Sequence, residues 1–214
     1  MIWYFPRFYL PLHIISKNAR GNGETIFLPT QNKPLVNTKR SGHIALARQL
    51  LTLAALDEVW FMVSPQNPLK QSADLLDDRL RFLLARIALH GEQGLRASDY
   101  EFALPRPSYT WNTLQHLHRD YPQHTFVLLI GADNWQRFPQ WYRGADILRD
   151  HQVVVYPRHG SDILPDSLPT GVTLAATPLL NVSSTDIRQR VRNGAPLRPF
   201  VPEPIIPLVR RLYR

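Results

Sequence analysis

Three short stretches of this chain are apolar almost without interruption: Val59-Trp-Phe-Met-Val63, Thr125-Phe-Val-Leu-Leu-Ile-Gly131 and Gln152-Val-Val-Val-Tyr156. A strand with one wet face alternates apolar and polar residues. A strand that stays apolar is covered on both faces. Segments of helical period lie between them. Gly42 to Leu56 puts Ile44, Ala47, Leu50, Leu51 and Ala54 on one side. Asp77 to His90 does the same with Leu80, Leu83, Leu84, Ile87 and Ala88, and Gly91 stops it. Ser108 to Tyr121 turns Leu114, Leu117 and Tyr121 inward before Pro122. Shorter strands are expected at Thr25 to Leu28, Leu95 to Ser98 and Val172 to Ala175. Helices are expected at Ala145 to Asp150, Ser184 to Asn193 and Pro207 to Tyr213. Buried strands alternating with amphipathic helices predict an α/β fold: a doubly wound, Rossmann-like, mostly parallel sheet with helices on both faces. Up to about Gly23 there is no period, so residues 1–24 are unassigned and 25–214 are taken as one domain.

Ligands in such folds sit beyond the carboxyl ends of the strands. The residues with chemistry to offer follow strand ends here: Ser64-Pro-Gln-Asn-Pro-Leu-Lys70, then Gly131-Ala-Asp133, then Pro157-Arg158. Asn67 and Lys70 offer an amide and a point charge that together could hold a monoester phosphate; the alternative is a plain turn with a solvated lysine. Gly131 permits close backbone approach, and Asp133 is placed for a ribose hydroxyl, though one aspartate after a strand is a weak signal. Trp141 and Tyr142 follow Phe138-Pro139 and are either a stacking platform for a planar ring or a local aromatic cluster. His43 stands near a helix start, as a phosphate donor or a packing residue. Thr110 lies in the first turn of a helix that Ser108 can cap.

Val182-Ser-Ser-Thr-Asp-Ile-Arg188 packs hydroxyls, a carboxylate and an arginine into a helix start. There, unpaired N–H groups and a partial positive charge suit a phosphate. A capped surface helix is the plain alternative. The net charge of +8 points to an anionic partner, and without any run of basic residues it favours small phosphates over nucleic acid. The chain has no cysteine, which excludes disulfides and thiolate metal sites and fits a cytoplasmic setting. No segment reads as a membrane span or signal peptide.

Together these segments resemble bacterial nicotinate-nucleotide adenylyltransferase, of the HxGH nucleotidyltransferase superfamily. The resemblance runs from about Gly42 to the C-terminus. It rests on Val59 to Lys70, Arg106-Pro-Ser-Tyr-Thr110, Ile130-Gly-Ala-Asp-Asn-Trp135, Phe138-Pro-Gln-Trp-Tyr142 and Val182 to Arg188, in the family's order. It implies transfer of AMP from ATP to nicotinate mononucleotide, giving deamido-NAD and pyrophosphate. Mg²⁺ would be held mainly by ATP phosphates, with no protein residue assigned as a metal ligand. By position, His43 and Arg188 take the catalytic roles. Gly131, Asp133, Ser183, Ser184, Thr185 and Arg188 contact ATP. Asn67 and Lys70 take the acceptor phosphate, and Thr110, Trp141 and Tyr142 the nicotinate ring.

One departure stands out. The family opens with a strand running into G-G-[ST]-F-[DN]-P-x-H-x-G-H. Here the stretch from Ile26 to His43 is longer, lacks the glycine pair and has Arg40 where the first His belongs. Two alternatives therefore accompany the main reading: a nucleotide-binding relative with impaired turnover, or an adenylyltransferase for another phosphate acceptor.

Overall fold

The computed structural model describes residues 12–18, 42–65, 76–177 and 184–213. Six strands form one sheet: β1 (Leu12–Asn18), β2 (Glu58–Met62), β3 (Leu95–Ser98), β4 (His124–Gly131), β5 (Val153–Tyr156) and β6 (Val172–Leu174). Their order across the sheet is β3-β2-β1-β4-β5-β6, the doubly wound order. The helices are α1 (Gly42–Leu53), α2 (Asp78–Ala88), α3 (Thr110–Asp120), α4 (Ala132–Trp135), α5 (Gly144–Asp150), α6 (Ser184–Arg192) and α7 (Ile206–Leu212).

The apolar runs are buried on both faces because alternate residues feed two different cores. Val59 and Phe61, Val127 and Leu129, and Val154 and Tyr156 pack on one side against Ile44, Ala47 and Leu50 of α1. Trp60 and Met62, Phe126, Leu128 and Ile130, and Val153 and Val155 pack on the other. There they meet Trp111, Leu114 and Leu117 of α3 and Ile147 of α5. A third cluster joins Leu84 and Ala88 of α2 to Ile187 and Val191 of α6 and to Val209 of α7. At about 25 cal/mol per Å², each fully buried Leu, Val or Phe contributes roughly 1.5–3 kcal/mol.

The N-terminal strand departs from what the sequence suggests. The pattern shows no period before Gly23, yet Leu12–Asn18 forms β1 in the middle of the sheet. It runs antiparallel to both neighbours, with Leu12 opposite Phe61, Ser16 opposite Glu58 and Asn18 opposite His124. Every other pairing is parallel. A central strand need not alternate, and its direction leaves no mark on composition. Thr25 to Leu28 lies outside the described residues.

The inward face of α2 is also turned from expectation. Leu84, Ala85 and Ala88 are buried, while Leu80 and Leu83 are 40% and 47% exposed. The helix lies at the β3 edge and shares its buried side with the C-terminal elements, so the deepest stripe passes through the small Ala85. Asp77 caps this helix by accepting from the backbone N–H groups of Arg79 and Leu80.

Candidate active site

The order of strands reverses between β1 and β4, and a ligand crevice is expected beyond the carboxyl ends at that point. Strand β4 ends there at Gly131, which leads into the single turn of α4. Asp133 is thus the second residue of a short helix rather than a simple strand end. A Cβ at Gly131 would lie 3.1 Å from Cγ of Arg158 and 3.2 Å from Cε2 of Tyr156, and would collide with Oδ1 of Asp133. Any larger residue would push the Asp133 carboxylate aside, so glycine lets β4, Asp133 and Arg158 lie close together. Arg158 follows the end of β5, is buried, and places Nε 3.5 Å from Oδ1 of Asp133. The strand-end rule picks out Arg158 but gives it no role; its contact with Asp133 becomes visible only in three dimensions.

His43 is the second residue of α1, and its Nε2 is sealed from solvent. Burial, and secondarily the charge of Arg158, push its pKa from 6.5 down to about 4. The ring is therefore neutral at pH 7, with one N–H to donate. Between about pH 4 and 6.5 the unfolded chain binds a proton here that the folded chain does not. Stability therefore rises with pH across that window and is lost on acidification. A loss of about 1–3 kcal/mol is expected from this one group. His151, also lowered by burial, adds to the same slope. Urea unfolding of wild type and His43→Gln at pH 7 and pH 4.5 checks it: the variant should lose less, and an identical loss would mean that His43 titrates normally.

The aromatic segment divides into two parts. Trp141 is half-buried and packs on Phe138, with ring centroids 5.1 Å apart, and Phe138 packs in turn on Trp135 at 5.1 Å. Tyr142 is 51% exposed. Its ring lies 4.7 Å from that of Tyr109, the residue before α3. This contact brings the Arg106 to Thr110 loop to the Trp141-Tyr142 segment, so Thr110, the first residue of α3, stands beside the aromatic pair. Of the two adjacent aromatics, tyrosine is the more exposed. Tyr109, to which the sequence assigns no role, forms the bridge.

Glu101 lies behind that loop, in a 3₁₀ turn (Tyr100–Ala103) just past β3. It is only 2% exposed, and its Oε1 accepts a hydrogen bond of 2.8 Å from Oγ1 of Thr113. Arg106 pairs with Asp78 at 3.2 Å, joining the same loop to the start of α2. Ser184 and Thr185 are the first two residues of α6. Arg188 is the fifth residue of that helix, at the start of its second turn rather than in its first, and is half-buried. Asn67, Lys70 and Ser183 lie outside the described residues.

A cytidylyltransferase-like family model matches residues 40–190. A probable nicotinate-nucleotide adenylyltransferase of Bacteroides fragilis is 45% identical over 160 residues, covering 75% of this chain and 80% of the relative. Its counterpart from Bacteroides thetaiotaomicron is 43% identical over 178 residues, covering 83% and 88%. This chain belongs to the nicotinate-nucleotide adenylyltransferase family. Among solved structures, the Plasmodium falciparum nicotinic acid mononucleotide adenylyltransferase complexed with NaAD shares the fold. Its TM-score is 0.60 at 14% identity, over 80% of this chain and 91% of that one. In this adenylyltransferase chain, β1 reaches the crevice with its amino end, Leu12, and its carboxyl end lies beside His124 at the opposite edge.

Proposed function

We propose that this chain transfers AMP from ATP to nicotinate mononucleotide, forming deamido-NAD and releasing pyrophosphate. An oxygen of the acceptor phosphate attacks the α-phosphorus, the bond between the α-phosphorus and its bridging oxygen breaks, and pyrophosphate leaves. The acceptor is its own nucleophile, so the protein's part is positioning and charge stabilisation. The observation that carries the reading is the convergence of Gly131, Asp133, Arg158 and His43 at the strand ends. The Tyr109–Tyr142 pair and Thr110 stand beside the loop that follows β4. In the proposed roles, Asp133 and Gly131 receive the adenosine, and His43, Ser183, Ser184, Thr185 and Arg188 the triphosphate. Asn67 and Lys70 hold the acceptor phosphate; Thr110, Trp141 and Tyr142 hold the ring.

Mg²⁺ would arrive as a companion of the nucleotide, held mainly by the ATP phosphates. When bound it would neutralise charge on the phosphates. The catalytic unit takes in β1 as well as residues 25–214, since that strand lies in the middle of the sheet. No helix among the described residues is long and apolar enough to cross a membrane. We place the reaction in the cytoplasm, with small phosphates rather than nucleic acid as partners.

A second reading has a specific observation in its favour. The sequence between β1 and α1 lacks the family's glycine pair and has Arg40 in place of the first histidine, and β1 itself runs antiparallel to its neighbours. The chain then keeps the acceptor half of the site and turns over slowly. Product analysis at enzyme concentrations near those of ATP, nicotinate mononucleotide and Mg²⁺ tests the reaction. Deamido-NAD and pyrophosphate should form slowly and in equal amounts. ADP, or AMP without a dinucleotide, would mean different chemistry.

A further inference from the structure

The proposed ring pocket lies between two segments that meet at two neighbouring points. Tyr109 and Trp111 flank Thr110 at the start of α3, and Tyr142 and Arg143 follow Trp141. Tyr109 packs on Tyr142 with ring centroids 4.7 Å apart. The guanidinium carbon of Arg143 stands over the ring of Trp111, 4.7 Å from its centroid. We propose that Arg143 is a positioning residue of the ring pocket, whose guanidinium, laid over Trp111, holds the Trp141-Tyr142 segment against the first turn of α3.

Three observations set Arg143 apart from an ordinary surface arginine. Its backbone is left-handed, with φ 54° and ψ 36°, a region that long side chains rarely enter. The turn there is tight. The N–H of Gly144 donates to the carbonyl of Trp141 at 3.0 Å, and a Cβ on Gly144 would lie 3.1 Å from the carbonyl oxygen of Phe138. Glycine would take the backbone of position 143 more readily, so an arginine held there points to a task for its side chain. Next, the guanidinium is fixed along one edge. Its Nε donates to Oδ2 of Asp146 at 2.6 Å, and Nη1 of Arg149 donates to Oδ1 of the same carboxylate at 2.6 Å. Finally, its platform is rigid. Trp111 is buried in the core cluster with Leu114, Phe138 and Ile147.

A surface ion pair at the start of α5 would account for Asp146 alone, and such pairs contribute little. It would not account for the contact with Trp111, which joins α5 to α3. A cation over an aromatic face is attracted by the ring, and tryptophan is the strongest partner. The two contacts lie one residue to either side of Thr110, so together they fix both the spacing and the tilt between α3 and the Trp141-Tyr142 segment. Arg143 touches no substrate atom in this arrangement; it sets the gap into which the ring would slide.

The inference rests on the ring-pocket reading above. The test is calorimetric titration of the full-length chain with nicotinate mononucleotide and, separately, with ATP. Glycine keeps the left-handed turn and removes only the side chain, so Arg143→Gly should fold. It should weaken nicotinate mononucleotide binding about fivefold or more and change ATP binding less than twofold. Arg143→Lys keeps a cation over the ring and a partner for Asp146, and should bind within about threefold of wild type. Asp146→Asn leaves Arg143 in place but loosens its edge. It should weaken nicotinate mononucleotide binding about two- to fivefold, and it decides the question if thermal melting shows Arg143→Gly unfolded. Equal losses for both ligands, or unchanged nicotinate mononucleotide affinity in Arg143→Gly and Asp146→Asn, would overturn the role of Arg143. A wild-type chain that does not bind nicotinate mononucleotide would overturn the ring-pocket reading itself, and this inference with it.

Discussion

Replacing the residues ahead of Ile44 with a parallel strand that runs into G-G-S-F-N-P-x-H-x-G-H is expected to raise kcat/KM for ATP by roughly 10² to 10⁴. The reason lies in the direction of β1. The carboxyl end of β1 pairs with His124, whereas in a parallel strand that end would lie at the crevice. A parallel strand would end in the crevice and lead straight into α1. Its glycines would expose backbone donors with no Cβ in the way, and Leu28-Pro29 cannot, because proline has no N–H. One well-placed donor of this kind is worth about 2.7–4 kcal/mol in the transition state, and two acting together need not add. Arg40→His alone recreates the His-Ser-Gly-His spacing but not the turn, and should recover only about tenfold of this or less. Steady-state rates for the three chains check the ordering. A wild-type rate within threefold of the rebuilt chain would show that β1 and Arg40 do no harm.

Arg188→Ala, made in the rebuilt chain, is expected to cost about 2–4 kcal/mol of transition-state stabilisation, roughly a 30- to 1000-fold fall in kcat. Arg188 belongs to α6, which is anchored by Ile187 and Val191 against Leu84 and Ala88. The charge that develops on the leaving pyrophosphate is greatest in the transition state, so the loss should fall on kcat more than on KM. Arg190, two residues further on, is the control. Its guanidinium lies 4.0 Å from the ring centroid of Phe200, within the C-terminal cluster, and Arg190→Ala should leave kcat within twofold. An Arg188→Ala rate within threefold of its parent, with unaltered thermal stability, would remove Arg188 from the triphosphate site.

The parallel part of this fold is legible because burial on two faces writes itself into composition. Val153 to Tyr156 and Phe126 to Ile130 have no room for a polar residue. Direction and pairing leave no such trace, which is why β1 escapes: Ile14-Ile15 followed by Ser-Lys-Asn reads as nothing regular. The same limit applies to the site. Gly131 and Asp133 can be found by the strand-end rule alone. The pairing of Asp133 with Arg158 cannot, because it joins two strands through a contact that only the closed sheet creates. Glu101 is hidden more deeply. In Asp99-Tyr-Glu101 a carboxylate reads as surface, and the hydroxyl that bonds to it, on Thr113, belongs to the following helix. The division between Trp141 and Tyr142 also depends on packing, since Phe138 takes one ring face of tryptophan and leaves tyrosine the more exposed.

The central proposal is that this chain binds nicotinate mononucleotide and binds ATP more weakly, because the glycine pair is missing from its sequence and Arg40 replaces the first histidine. Paired calorimetric titrations of the wild-type chain with nicotinate mononucleotide and with ATP and Mg²⁺ test this most directly. Saturable binding of one nicotinate mononucleotide per chain is predicted, with ATP at least tenfold weaker and tightened by the rebuilt N-terminal turn. ATP binding as tightly as the mononucleotide, or no mononucleotide binding at all, would contradict it.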